Sequence, residues 1–138
     1  METIIPLIEQ DETLKDLNEG FGSMMGTSHY YSNVACYYTD GVRDLCNTLK
    51  CFWLLDLISI YIMSIMKKTG EPVQVWVLYV KDNKATLYCL GYPEPPDYER
   101  DVVHFIRNIE YTDLPNGKIM FKVGYNDPKP IICLPVED

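Results

Sequence analysis

The stretch from Phe52 to Lys68 constrains the fold more than any other, because it is apolar on nearly every side. It is shorter than the ~20 residues a bilayer requires and carries a carboxylate near its centre, so it reads as a buried core helix, not a membrane span. Gly70 and Pro72 end it. A helix this apolar must be covered by both a sheet and a neighbour, such as the second subunit of a homodimer. Within it, Phe52-Trp53-Leu54-Leu55-Asp56-Leu57-Ile58 sets one acid in an apolar run. An unpaired buried carboxylate is costly, so Asp56 is expected to be buried and hydrogen-bonded by a fixed partner, or kept for chemistry.

The residues before this helix form a second one. Thr39 reads as an N-cap, with Asp40 in the first turn where negative charge suits the helix dipole. Val42, Leu45, Cys46 and Leu49 follow at i, i+3, i+4 and i+7, with Arg43, Asp44, Asn47 and Thr48 opposite. Further upstream, Glu9 to Asn18 suits a short charged helix, and a glycine-rich loop runs from Gly20 to Ser28. That loop lacks the Gly-Lys-Ser/Thr ending of a phosphate loop. His29 to Tyr38 is aromatic and compatible with either strand or helix.

After Pro72 the period changes from 3.6 to 2. Val73 to Val80 and Lys84 to Leu90 read as two strands around the turn Lys81-Asp82-Asn83, the first apolar on both faces and therefore central. Ile106 to Thr112 and Lys118 to Val123 flank Pro115-Asn116-Gly117, where Asn-Gly is a strong hairpin signal. Ile131 to Leu134 is a last short strand. Helices followed by hairpins imply an α+β fold, an antiparallel sheet of about five strands with two main helices packed on one face. The 138 residues suit a single domain. Its parts are 1–28, an N-terminal helix and glycine-rich loop; 39–70, two helices; and 73–134, the sheet.

Charge and cysteines narrow the function classes. A formal charge of −8 disfavours unaided binding to nucleic acid or an anionic membrane and leaves room for a basic protein partner. Five scattered cysteines without C-x-x-C spacing, and only two histidines, read as free thiols in a reducing cytoplasm, with no metal site and no cofactor expected. Met1 to Pro6 lacks the basic and apolar regions of a signal peptide. The proline-rich, acidic excursion from Gly91 to Asp101 is a candidate contact surface, with Tyr92 and Tyr98 as large contact groups and Glu94 and Asp97 among the acids that steer a basic partner.

Three constellations are candidates for chemistry. Asp56, in apolar surroundings, would have a raised pKa and serve as acid or base, or be tied structurally to indole, tyrosine or amide donors. His29 near Asp40 or Asp56 would make a general-base dyad. Tyr111-Thr112-Asp113-Leu114-Pro115 echoes Tyr38-Thr39-Asp40-Gly41. Two aspartates brought to one site would suit Mg²⁺ or Ca²⁺, whereas separate local turns would leave each Thr-Asp pair bonded to its own backbone.

The ordered set Gly26-Thr27, Tyr30-Tyr31, Tyr38-Thr39-Asp40-Gly41-Val42, Trp53-Leu54-Leu55-Asp56, Gln74-Val75-Trp76, Ile109 with Tyr111-Thr112-Asp113-Leu114-Pro115, and Leu134-Pro135 with Glu137 resembles a small bacterial family of unknown function associated with phage and plasmid genes. The chain departs from that pattern at Leu114, at Val136 and between Tyr92 and Pro96. The resemblance implies one cytoplasmic domain and supplies no catalytic residue. The expected function is that of a cytoplasmic accessory or interaction protein, mobile-element-derived and acting on a host protein. The alternative is a small hydrolase or ligand-binding domain with Asp56, Asp40 and His29 in one pocket.

Overall fold

The computed structural model describes residues 3–4, 30–32, 36–70, 73–91, 102–126 and 129–135. In chain order these form β1 (Thr3–Ile4), β2 (Tyr30–Ser32), β3 (Tyr37–Thr39), α1 (Asp40–Leu49), α2 (Phe52–Thr69), β4 (Gln74–Lys81), β5 (Lys84–Gly91), β6 (Val102–Ile109), β7 (Gly117–Asn126) and β8 (Lys129–Cys133). The expected 9–18 helix and the glycine-rich loop lie outside the described residues.

The start of α1 and the ends of both helices are set by local chemistry. Thr39 is extended, and its Oγ1 accepts a 3.4 Å bond from the Val42 amide, which caps α1. Lys50 turns left-handed at φ 54°, and the Cys51 amide then donates to the Cys46 carbonyl at 3.0 Å. That closes α1 and lets α2 start almost at once. Gly70, at φ 75°, ends α2 with its amide on the Met66 carbonyl at 2.8 Å, and Lys67 and Lys68 occupy the negative end of the dipole.

The strands make one eight-stranded sheet in the order β1-β6-β5-β4-β7-β8-β3-β2. The α+β class is as expected, but the sheet is larger than five strands and is mixed. Strand β3 lies parallel to β8, with Tyr37 opposite Ile131 and Tyr38 opposite Ile132. The extra strands β1, β2 and β3 have two or three residues each, too few for a period-2 pattern to register. Side chains tie the added edge down. Arg43 of α1 donates to the Tyr31 hydroxyl at 3.0 Å and lies over its ring, and Lys129 of β8 bonds Ser32 and lies over Tyr37.

The Asn116-Gly117 pair does not make a hairpin. β6 and β7 are separated by β5 and β4, and the connection 110–116 wraps around the end of the β4–β5 hairpin. The two-residue turn there is Asp82-Asn83, with φ of 52° and 64°, the backbone that a right-twisted hairpin favours. The wrapping loop is fixed by the Thr112 amide on the Asn83 carbonyl (2.9 Å), Asn83 Nδ2 on the Thr112 carbonyl (3.0 Å) and the Asp82 amide on Asn116 Oδ1 (2.9 Å). A strong local signal was therefore overridden by a turn one hairpin earlier.

The main core lies between the helices and one sheet face. It contains Leu45, Leu54, Leu55, Ile58, Ile62, Trp76, Leu78, Leu87, Ile119, Phe121 and Ile132. Helix α1 packs towards β2, β3 and β8, while α2 lies towards β6, where Tyr61 sits 4.5 Å from the Phe105 ring. The other sheet face carries a smaller cluster of Val77, Leu90 and Val103, with Val75, Tyr79, Tyr88 and Met120 against it. Strand β4 is thus apolar on both faces and central, as its sequence indicated. No described helix is long and apolar enough to cross a membrane.

Candidate functional site

Asp56 is exposed, not buried, which corrects the expectation drawn from its apolar neighbours. Among the buried polar side chains of the described residues are Ser59 of α2 and Gln74 of β4. Ser59 Oγ donates to the Leu55 carbonyl at 2.7 Å and lies 2.8 Å from the Cys36 sulfur. Gln74, 2 % exposed, donates through Nε2 to the Ile62 carbonyl of α2 at 3.0 Å. Its Oε1 accepts from the Trp76 indole at 2.9 Å and from the Cys89 thiol at 3.9 Å. The buried polar knot joining helix to sheet is therefore a neutral carboxamide. It was missed because Gln74 stands at a strand start, where its burial depends on α2 lying overhead; the indole two residues on was the signal available.

Asp56 faces outward because α2 is two-sided in space though not in composition. Leu54, Leu55, Ile58, Ile62 and Ile65 face the sheet and are buried. Ile60 is 69 % exposed, Met63 40 %, Trp53 38 % and Phe52 36 %. At 3.6 residues per turn, Asp56, Ile60, Met63 and Lys67 fall within about 60° of one another around the axis, with Phe52 and Trp53 flanking them. The result is a straight outward stripe, acidic near the N-terminal end, apolar in the middle and basic at the C-terminal end.

The two Thr-Asp words do not share a site. Asp40 opens α1 beyond β3, whereas Asp113 is an exposed residue on the loop around the β4–β5 turn. Strands β7 and β8 lie between β4 and β3. Three strand spacings, roughly 14 Å, are too many for one cation to bridge. Each threonine instead serves its own backbone, Thr39 as described and Thr112 by accepting from the Leu114 amide at 3.2 Å. His29, Tyr92, Glu94, Asp97 and Tyr98 lie outside the described residues.

Four of the five cysteines are buried, and Cys133 is half-buried. Cys46 and Cys51 pack together at the α1–α2 junction. The hydrogen bond with Cys51, together with burial, pushes the Cys46 thiol up, and that bond from Cys46 draws Cys51 down. Cys46 therefore stays a neutral thiol at physiological pH and packs as a small hydrophobe.

A profile described as a family of unknown function (DUF6876) matches residues 12–138. The chain belongs to this family. The match takes in both helices, the N-cap at Thr39, the Gln74–Trp76 knot and the Thr112 loop. No curated protein and no solved structure matches the chain.

Proposed function

We propose that this protein works by binding other protein surfaces and that the outward stripe of α2 is its assembly face. One observation carries this reading: Ile60, Met63, Trp53 and Phe52 all stand exposed on the outward side of α2, the longer of the two described helices. Exposed apolar residues grouped in this way mark interaction sites, because isolated ones cost little and groups favour association. In the finer form of this reading the chain is a cytoplasmic accessory protein, encoded by a mobile element and acting on a host protein. Its charge of −8 supports a basic partner for the surface that α2 does not occupy. The alternative, a small hydrolase or ligand-binding domain with Asp56, Asp40 and His29 in one pocket, draws no support from Asp56, which is exposed.

The test is the elution of the protein from its native lysate, as parent and as Ile60→Asp. The parent should travel in an assembly larger than the monomer, and the variant, folded by circular dichroism, should travel as the monomer. Parent and variant both eluting at the monomer mass would overturn the proposal.

A further inference from the structure

The geometry of α2 points to its occupant: we infer that a second copy of this chain packs against the stripe, its α2 antiparallel, about a twofold axis passing between Ile60 and Met63. The inference rests on the assembly-face reading and names the partner of that face.

The stripe is complementary to itself in one direction only. Asp56, Ile60, Met63 and Lys67 stand at i, i+4, i+7 and i+11 on one line along the helix. Turning a second helix end over end about the midpoint of Ile60 and Met63 sets each Ile60 against the partner's Met63. The same operation sets each Asp56 level with the partner's Lys67, since both lie 5.5 residues, about 8 Å, from the axis. Two apolar pairs then form the centre and two opposite-charge pairs the ends. A parallel arrangement sets Asp56 against Asp56 and Lys67 against Lys67, so the charges select the antiparallel one.

The ends of the helix agree with this register. Trp53 falls level with the partner's Gly70, where α2 stops and, its chain neighbours and the helix backbone apart, no atom lies within 4 Å of the position a side chain would take. An indole, large and half-exposed, finds room there. The local charge of this face also suits a second copy. The molecule carries −8 overall, which opposes self-association, yet the stripe and its end hold one acid against Lys67 and Lys68.

Sedimentation equilibrium of the purified chain across the micromolar range tests the inference, with Trp53 emission followed in parallel. The parent should dimerise, and Trp53 emission should shift to the blue with rising concentration. Asp56→Lys alone and Lys67→Asp alone, each acting twice by symmetry, should weaken the dimer about tenfold or more. The double variant Asp56→Lys with Lys67→Asp should recover it, which a merely structural effect of either change would not produce. Single variants as tightly associated as the parent would overturn the antiparallel register. A purified monomer that still enters a larger assembly in lysate, lost with Ile60→Asp, would overturn the second copy while leaving the assembly face standing. A monomer under both conditions would overturn both.

Discussion

Asp56 and Gln74 exchange the roles their neighbours in sequence suggest. Asp56 sits among apolar residues in the chain but faces water, while Gln74 begins a strand and is sealed beneath α2, with both ends of its amide engaged. Gln74→Ala should lower stability by ~2–3 kcal/mol, because the Trp76 indole and the space of the amide are left unfilled in the core. Asp56→Ala should change the stability of the monomer by no more than ~0.5 kcal/mol, as exposed substitutions do. Urea midpoints of the two variants, taken at a concentration that keeps the chain monomeric, compare them directly. Thr39→Ala should cost ~0.5–1 kcal/mol through loss of the α1 cap, at the lower part of the usual range because the capping bond is long at 3.4 Å.

At the scale of elements, α2 shows how composition and placement diverge. Its residues are so uniformly apolar that the sequence marks no single buried side, and the sheet chooses one by covering Leu54, Leu55, Ile58, Ile62 and Ile65. The two tryptophans report that choice. Trp53 is partly in solvent and Trp76 is fully buried behind Gln74 and Phe105. Acrylamide should quench the emission of Trp53 strongly in the monomer and that of Trp76 hardly at all, a contrast that Trp53→Phe and Trp76→Phe would separate. The hairpin β4–β5 makes the complementary case. Its Asp82-Asn83 turn, at positive φ, organises the loop 110–116 as well as its own strands. Asn83→Ala should therefore cost ~1–2 kcal/mol in the urea midpoint, from backbone strain and from the unpaired Thr112 carbonyl together.

For the whole molecule, β8 is the strand on which the added edge depends. It pairs antiparallel with β7 and parallel with β3, so the β2–β3 pair reaches the rest of the sheet through it. Ending the chain after Asn126 would remove Ile132 and Leu134 from the core and strip β3 of its ladder. The shortened chain should lose its cooperative thermal transition, as followed by far-ultraviolet circular dichroism. The core also sets thiol access. At neutral pH a maleimide should label Cys133 first, whereas Cys36, Cys46, Cys51 and Cys89 should react only after denaturant opens the fold, as counted by intact mass.

The amino-acid sequence alone determined the elements whose signals are local and long enough to repeat. The 3.6-residue spacing of Val42, Leu45, Cys46 and Leu49 marked α1, Thr39 and Gly70 marked helix ends, and two β-rich runs on either side of the polar turn at Asp82-Asn83 marked β4 and β5. The α+β class followed from their order. Tertiary structure decided everything that depends on which surfaces meet. It joined Tyr37–Thr39 in parallel to a strand some ninety residues away in the chain and denied Asn116-Gly117 its hairpin by laying that loop over another. It also turned Asp56 outward and Gln74 inward, because burial belongs to a position between packed layers and not to the polarity of adjacent residues.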